Sequence, residues 1–173
     1  MNALAIPVIE TERLTLRGPR EADFEAFAAF GASARSAWVG GPFPRLRSWT
    51  GFLATFGHWA LRGYGMWMLE DRTGGQTAGR VGMIYNDGWD EPELGWQLFD
   101  GFEGKGLAFE AAHAARNHAA RHFGLDGVIS YIDPANTRSV ALAHRMGAAR
   151  ERDGTVAGKP CDVYRHPKLA ELT

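Results

Sequence analysis

The sequence predicts a single α/β domain in which a mixed sheet is flanked by helices, and three observations support this. The chain has 173 residues, a length at which one domain buries about 70% of the surface that its unfolded chain exposes. Strand-like and helix-like patterns follow one another along it. It contains no repeat, low-complexity tract or linker, so we predict one domain over residues 1–173.

The first third predicts one strand and two helices. Polar and apolar residues alternate over 12–17, which indicates a strand. A proline and two acidic residues then open a helix that we expect Gly31 to end. Ser48 is expected to cap a second helix, in which large apolar residues recur at helical spacing. Gly63 and Gly65 are expected to end that helix.

The middle of the chain predicts three strands and a glycine-rich loop. Segments 65–71 and 79–85 are strand-like, and the Thr-Gly-Gly between them indicates a hairpin. Residues 93–99 alternate again and predict a third strand. The loop GFEGKG (101–106) then leads into an alanine-rich helix that is expected to run to about Phe123.

The last third predicts a strand, a short helix and a final strand. The apolar run 127–133 indicates the first strand. A helix over 137–146 is closed by Gly147, and residues 161–166 form the last predicted strand.

Charge and composition exclude several function classes. Nineteen basic and 20 acidic residues leave a formal net charge of −1, so the chain has no electrostatic footprint for nucleic acid. Cys161 is the only cysteine, which excludes an internal disulfide and a cysteine-based metal cluster. The start of the chain lacks a signal-peptide pattern, and no apolar run approaches the ~20 residues that span a bilayer. We therefore expect a cytoplasmic protein with no membrane partner.

The segment 93–112 is the first candidate binding element, because a strand, a three-glycine loop and a helix start follow one another there. Glycines let a backbone approach a ligand closely, and a helix N-terminus presents unpaired N–H groups to an anion. The segment is therefore a candidate phosphate or pyrophosphate site, although a tight turn alone would also explain the glycines. Neither the P-loop pattern nor the GxGxxG fingerprint is present.

A second element lies in 133–148, where Asn136 and Ser139 stand at the start of a helix that ends in Met-Gly-Ala. The order of strand, glycine loop, Glu-Ala helix, strand and Asn-x-x-Ser helix resembles the GNAT superfamily of acetyltransferases. It most resembles the branch named for the RimJ and RimL ribosomal-protein N-terminal acetyltransferases. The resemblance covers about 9–165 and implies a mixed, mostly antiparallel sheet.

The resemblance implies acetyl-CoA as the co-substrate. In the family, the amides of the glycine loop hold the CoA pyrophosphate, and the Asn-x-x-Ser helix contacts the CoA arm. The donor-binding residues that it implies here are Leu98, Phe99, Glu103, Gly104, Lys105, Gly106, Leu107, Ala108, Asn136 and Ser139.

Glu103 departs from the family pattern, which has Arg or Gln at that position. A carboxylate beside a pyrophosphate is repulsive, so we expect weaker donor binding or a Glu103 side chain turned to solvent. Lys105 is a candidate source of compensating charge. Glu110 matches the Glu-Ala step and has either a structural or a catalytic role.

The predicted reaction is direct attack of a primary amine on the acetyl thioester. Such an amine attacks only when neutral, so a base must take its proton. Glu93 is the preferred base, although an exposed strand residue without a role is the alternative. A backbone N–H between Leu98 and Asp100 is expected to stabilise the thioester oxygen.

Three side chains are candidate proton donors to the departing thiolate. Ser139 matches a position that the branch uses near the sulfur, but its hydroxyl could instead bond the backbone. Tyr131 and Tyr164 are the rivals, since a phenol with a pKa near ~10 can serve a thiolate with one near ~8.5. No acyl-enzyme is required, so Cys161 is expected to be a packing residue.

The acceptor stays open among a protein N-terminus, a polyamine, an aminoglycoside-like compound and an amino-acid derivative. Trp38 and Phe43 are candidates for lining its pocket, and Asp87, Asp90 and Glu91 either attract a cationic amine or form a solvated turn. We predict no metal, because the histidines at 118 and 122 lack an HExxH motif. A homodimer is plausible through the exposed edges of the sheet.

Two other functions compete with amine acetylation. One is a binding module that keeps the CoA groove without turnover, which Glu103 favours and which Asn136 and Ser139 oppose. The other is a nucleotide-binding or phosphate-binding protein on an unrelated α/β fold, which rests on the glycine loop alone and predicts binding of ATP or NAD instead of CoA.

Overall fold

The computed structural model describes residues 4–172, which form one sheet with helices packed against it. Within those residues the elements, in chain order, are β1 (Ile9–Glu10), β2 (Leu14–Arg17), α1 (Phe24–Ala32), α2 (Arg45–Arg62), β3 (Met66–Asp71), β4 (Thr77–Ile84), β5 (Glu93–Leu98), α3 (Leu107–His122), β6 (Ile129–Ile132), α4 (Thr137–Arg145), β7 (Ala149–Val156) and β8 (Lys159–Arg165). Short 3-10 turns cover Glu21–Asp23, Ala34–Val39 and Leu169–Glu171.

The sheet is mixed and mostly antiparallel, as predicted. Its strand order is β1-β2-β3-β4-β5-β6-β8-β7. Neighbouring strands are antiparallel except β5 and β6, which are parallel and pair at a single position, Glu93 opposite Ile129. Beyond that pair the two strands are no longer joined by a ladder, so the sheet opens toward their carboxyl ends.

Helix α3 lies close against the sheet because its inner face is made of alanine. Ala111, Ala112, Ala115 and Ala119 are fully buried and belong to the main core. An alanine has no side-chain atoms beyond Cβ, so the helix axis can approach the strands closely. This packing holds the start of α3 beside the end of β5, where the glycine loop joins them.

A second core packs α1 and α2 on the opposite face of the sheet. Phe24, Phe27 and Phe52 meet Met68 of β3 there, whereas Trp67 and Leu69 point into the main core. Successive side chains of a strand alternate between faces, which produces this division. Most aromatic residues of the first two helices are therefore core.

The expected roles of Gly31 and Ser48 are wrong, and one helix contact explains both. Helix α1 continues to Ala32, and α2 begins at Arg45 after Pro44, so both residues lie inside helices. A Cβ on Gly31 would lie 2.6 Å from Ser48 Oγ. Gly31 thus permits close packing of α1 on α2, and Ser48 fills the contact.

Strand β7 is absent from the sequence prediction because its pattern carries no apolar periodicity. Every residue of β7 is exposed or half-exposed. Its partner β8 instead supplies the buried side chains of the hairpin, namely Cys161, Val163 and Tyr164. A polar strand of this kind is recognisable only once its partner is known.

Other predicted element ends are confirmed. Gly63 follows Arg62 with a φ of 74° and ends α2. Helix α3 runs to His122, with Phe123 as its C-cap.

Within residues 4–172, no helix combines the length and apolar character needed to cross a membrane.

Candidate active site

A cleft of about 740 Å³ opens where β5 and β6 separate. Its walls come from both strands, the glycine loop, the first turn of α4 and the 3-10 turn Ala34–Val39. The cleft brings together most of the residues that the sequence singled out, namely Glu93, Leu98, Glu103, Gly104, Gly106, Ala108, Tyr131, Asn136 and Ser139.

Phe99 does not line the cleft, because its side chain packs in the core and its N–H donates within the sheet. The ring is buried and packs 5.5 Å from the ring of Phe30. Its N–H donates to the carbonyl of Ala78 at 2.9 Å. Since ladder hydrogen bonds alternate in direction along an antiparallel strand, the N–H of Leu98 points to the other side, toward the cleft.

Leu107 and Lys105 also lie outside the cleft walls. Leu107 is 5% exposed and belongs to the main core. Lys105 Nζ donates to the carbonyl of Gly101 at 2.6 Å, so the ammonium closes the loop on itself. This bond occupies the ammonium that was a candidate source of compensating charge for Glu103.

The glycine loop has a backbone conformation that residues other than glycine adopt only with strain. Gly101, Gly104 and Gly106 have φ values of 88°, 72° and 78°, in the left-handed region that disfavours a Cβ. Gly106 is also the N-cap of α3. The loop thus turns directly into a helix N-terminus, whose first N–H groups have no intrahelical acceptor.

Glu110 ties this loop to the start of the sheet. Its carboxylate accepts hydrogen bonds from Thr11 Oγ1 at 2.6 Å and from Arg13 N and Nε at 2.8 and 2.7 Å. Arg13 Nη1 in turn donates to the carbonyl of Lys105 at 2.7 Å. Burial favours the neutral acid, but these donors outweigh it and hold the pKa of Glu110 below its usual value. The contacts support the structural role.

Glu103 is not turned to solvent but pairs with a cation that sequence reasoning missed. Arg35 Nη1 lies 3.1 Å from Glu103 Oε1 and 2.7 Å from Asp100 Oδ1. The pKa of Glu103 lies below its usual value, mainly because the backbone N–H of Glu103 favours the charged carboxylate, and the positive charge of Arg35 adds to this effect. One helix and three strands separate Arg35 from the loop, so no local pattern links the two residues.

Glu93 stands where β5 and β6 part. Its Oε2 accepts the N–H of Tyr131 at 3.0 Å. A Cβ on Gly95 would lie 3.8 Å from Glu93 Oε1, and 3.3 and 3.8 Å from Ile84 Cδ1 and Met66 Cε. Burial of the carboxyl raises the pKa of Glu93 to about 8, although the N–H of Tyr131 favours the charged form.

Ser130 and His166 link the strands at the point where β5 and β6 separate. Neither residue was identified from the sequence. Ser130 Oγ donates to the carbonyl of Leu94 at 2.6 Å and lies 2.9 Å from His166 Nε2. The imidazole is 1% exposed, and burial lowers its pKa to about 3, assisted by the nearby Arg116 and Arg165. A neutral histidine and a serine thus bridge β5, β6 and the end of β8 behind the cleft.

The first turn of α4 presents Ser139 to the cleft. Asn136 caps the helix by accepting the N–H of Ser139 at 3.3 Å. The hydroxyl of Ser139 does not bond the backbone in this structure. Its Oγ accepts the indole N–H of Trp96 at 3.2 Å instead, which leaves its own proton available for another acceptor.

The two tyrosines occupy different environments. Tyr131 lines the cleft, and its Oη accepts the N–H of Asp90 at 3.2 Å. Burial raises the pKa of Tyr131, and the nearby carboxylates add to that effect. Tyr164 is 4% exposed and packs with Ile132 and Ala143 in a separate small core. Only Tyr131 of the two is among the residues that line the cleft.

Several large apolar side chains line the cleft. Trp38 and Val39 line it and remain 49% and 41% exposed. Phe43 is not part of the lining; its ring lies against Gly31 and Gly41 instead. Met66 and Ile84 complete the apolar wall around Glu93.

The acidic loop beside the cleft is held in ion pairs. Arg165 binds Glu91 through hydrogen bonds of 2.6 and 2.8 Å, and Arg152 lies 3.2 Å from Asp90. These two carboxylates therefore neutralise arginines of β7 and β8 and are not aimed into the cleft. Asp87 is exposed in the same loop.

The histidines of α3 form aromatic contacts. The rings of His118 and His122 are 4.4 Å apart, and His118 also meets Trp67 and Phe123. In the part of the chain that the structure describes, no group of three or more His, Cys, Asp or Glu side chains is placed to hold a metal ion.

Cys161 is buried, and burial raises the pKa of its thiol, which suits a packing residue.

Comparison with known proteins adds a family match. The sequence model of the acetyltransferase (GNAT) domain matches residues 13–149. The crystal structure of an acetyltransferase from Agrobacterium tumefaciens str. C58 superposes with a TM-score of 0.87 and is 37% identical, with 95% of this chain and 96% of that chain covered.

Two further comparisons are more distant. The structure of RimL, a ribosomal L7/L12 alpha-N-protein acetyltransferase in complex with coenzyme A, superposes with a TM-score of 0.78 over 95% of this chain and 99% of that chain. At 17% identity it shows the fold alone. The uncharacterized protein YkkB of Bacillus subtilis (strain 168) is 27% identical over 107 residues, which span 60% of this chain and 62% of YkkB.

Proposed function

Because this chain belongs to the GNAT acetyltransferase family, we propose that it moves an acetyl group from acetyl-CoA to a primary amine. GNAT acetyltransferases are acyltransferases that use acetyl-CoA. The observation that carries the proposal is the Glu93 carboxyl, whose pKa is raised to about 8 and which lies in the same cleft as the glycine loop. One cleft thus offers a base for an amine and a cradle for an anion.

The donor end fits the pyrophosphate of CoA. The left-handed glycines expose the backbone of the loop, and the N-terminus of α3 follows at Gly106. Both features favour an anion through backbone N–H groups. The neighbour that contains coenzyme A has the same fold, which supports this assignment. Residues 104, 106 and 108 line the cleft at this end, with Asn136 and Ser139 on the facing helix.

The amine end centres on Glu93. Acetyl-CoA supplies an activated acetyl thioester, in which the C–S bond breaks as the new C–N bond forms. Glu93 takes the proton that the ammonium or the attacking nitrogen must lose, since a base with a pKa near the working pH is the most effective. The N–H of Leu98 faces the cleft and donates to the oxygen that gains negative charge.

Ser139 is the proposed proton donor to the thiolate. Its Oγ accepts the N–H of Trp96, which stabilises negative charge on that oxygen. It also lies in the first turn of α4, where the helix dipole favours negative charge. Burial raises the pKa of Tyr131, so its phenol gives up a proton less readily than an ordinary tyrosine.

Replacement of Ser139 and replacement of Tyr131 are expected to change kcat by different amounts. We expect Ser139→Ala to lower kcat about tenfold, because a thiolate with a pKa near ~8.5 can still be protonated slowly by water. Tyr131→Phe keeps the ring and should change kcat less than about threefold. Steady-state kinetics of both variants at saturating acetyl-CoA would test this. A larger loss in Tyr131→Phe would exchange the two roles.

The acceptor end favours an amine attached to an apolar group. Trp38, Val39, Met66 and Ile84 supply apolar walls. The nearby carboxylates of Asp90 and Glu91 are paired with arginine, so they offer little to a polycation. We therefore propose a monoamine, such as an amino-acid derivative or a protein N-terminus, over a polyamine or an aminoglycoside-like compound.

Gly95 is expected to leave room for the amine beside Glu93. A Cβ there would lie 3.3 Å from Ile84 Cδ1 and 3.8 Å from Glu93 Oε1. Gly95→Ala should raise the KM for the amine about tenfold and leave the Kd for acetyl-CoA within twofold. An unchanged amine KM would place the acceptor elsewhere in the cleft.

Calorimetric titration of acetyl-CoA, with ATP and NAD as controls, tests the donor assignment. We expect micromolar binding of acetyl-CoA alone; binding of ATP or NAD instead would support the unrelated nucleotide-binding function. A screen of amines for thiol release then tests turnover. Donor binding without turnover of any amine would support the acyl-CoA-binding module. The RimJ/RimL-like branch, the cytoplasmic location and the homodimer stay predictions from the sequence.

A further inference from the structure

Two carboxylates lie in or next to the loop that is proposed to receive the pyrophosphate. Glu103 lines the cleft and is 27% exposed, and Asp100 lies just before the loop at 74% exposed. Two negative charges at this position oppose an anionic donor, since like charges at close range repel. The donor end therefore needs a source of positive charge.

Arg35 contacts both carboxylates at once. Its Nη1 lies 2.7 Å from Asp100 Oδ1 and 3.1 Å from Glu103 Oε1, and its Nη2 donates to the carbonyl of Leu98 at 2.8 Å. The guanidinium also lies 5.6 Å from the centre of the Phe30 ring. Arg35 is one-third exposed and lines the cleft. Its position is thus set by four groups, which come from the end of β5, the glycine loop and helix α1.

We propose that Arg35 is a specificity-determining residue of the donor site: it neutralises Glu103 so that the glycine loop can accept the CoA pyrophosphate. The proposal rests on the proposed function. It explains how a loop with a carboxylate at its centre can serve an anionic donor. Arg35 and Glu103 then act as a unit, and Glu103 without Arg35 is worse for binding than the pair or than two neutral residues.

The same arginine connects the two ends of the cleft. Arg35 belongs to the turn Ala34–Val39, which also carries Trp38 and Val39 in the cleft lining. A single short segment therefore supplies charge to the donor loop and an apolar wall to the acceptor. Removal of Arg35 should weaken donor binding first, because its contacts are to the end of β5 and the loop.

A double-mutant cycle measured by calorimetry tests the pair. We expect Arg35→Gln to raise the Kd for acetyl-CoA about tenfold, because Glu103 is then uncompensated. Glu103→Gln should bind within threefold of the wild type. The double variant Arg35→Gln/Glu103→Gln should also return to within threefold. A double variant that binds as weakly as Arg35→Gln would overturn the proposal, since Arg35 would then act independently of Glu103.

Two further variants keep the test independent of folding. Arg35→Lys preserves the positive charge and should retain donor affinity within about threefold; a tenfold loss there would overturn the charge argument. Arg45 and Glu25 form a matched pair between α2 and α1 whose residues are not part of the cleft lining. Arg45→Gln and Arg45→Gln/Glu25→Gln should leave the Kd unchanged, and thermal unfolding would confirm that each variant is folded.

Ionic strength provides a second readout. Screening by salt weakens charge repulsion. The tenfold difference in the Kd for acetyl-CoA between Arg35→Gln and the wild type should therefore become smaller as the salt concentration is raised. A gap that is independent of salt would contradict an electrostatic role. Failure of the donor assignment is distinguishable from failure of this inference, because the wild type itself would then not bind acetyl-CoA. A protein that binds acetyl-CoA without turnover would fail only the amine screen, and the Kd cycle would still test Arg35.

Discussion

Glu93→Gln is expected to lower kcat for amine acetylation by about 10²–10³-fold, which is the range that a positioned general base contributes. Glutamine keeps the shape of the side chain but cannot accept the proton. The Kd for acetyl-CoA should change less than about threefold, because Glu93 lies at the amine end of the cleft. Steady-state rates and calorimetry on the same preparation would separate the two effects.

The pH profile of the wild type should identify the same residue. The pKa of Glu93 is raised to about 8, and the base acts in its ionised form, so kcat should rise about tenfold per pH unit below 8 and level off above it. Glu93→Gln should lose this limb, whereas a limb from ionisation of the amine itself would remain. A wild-type profile that is flat between pH 6 and 8 would contradict the role.

The stability of Glu93→Gln should change in the opposite direction to its activity. The folded pKa of about 8 lies above the unfolded value of about 4.3, so the folded protein binds more protons between these values. The wild type therefore loses stability as pH rises from about 4.3 to 8. The variant should gain thermal stability relative to the wild type at pH 8, but not at pH 4. Glu12→Gln, at an exposed position, is the control and should change neither quantity.

Gly106→Ala is expected to raise the Kd for acetyl-CoA about 10- to 30-fold. Gly106 has a φ of 78° and is the N-cap of α3, and a Cβ in the left-handed region costs about 1–2 kcal/mol. Relief of that strain would rotate the N–H groups that we propose to face the pyrophosphate. Calorimetric titration measures the loss of affinity, and denaturant unfolding measures the loss of stability.

Gly124→Ala is the matched control for this prediction. Gly124 has a φ of 69° just beyond the other end of α3, and a Cβ there would meet no atom within 4 Å. The variant should lose similar stability and bind acetyl-CoA normally. Equal losses of affinity in both variants would show that strain anywhere around α3 weakens binding, and the loop would lose its special role.

Periodic apolar patterns predicted most of the fold. Residues 65–71, 93–99 and the long alanine helix were recognisable because each buries one face against the same core. Strand β7 was not, since it has no buried face and is held by its pairing with β8. Gly31 and Ser48 were assigned to helix ends because they resemble such signals locally, whereas a close contact between helices decides their role.

The sequence by itself determined the features that depend on neighbours along the chain. The glycines of the loop, the Asn-x-x-Ser start of α4 and the order of the motifs are of this kind, and they were sufficient to indicate the family. A backbone conformation or a helix cap is set within a few residues, so a local pattern contains the whole cause.

Only the tertiary structure decided which side chains meet in the cleft. Met66 and Ile84 surround Glu93 from two other strands, and Arg35 reaches Glu103 across the fold. The bond from Trp96 to Ser139 joins a strand to a helix that follows much later in the chain. Burial and ion pairing depend on distances through space, and residues far apart in the sequence contribute most to them at this cleft.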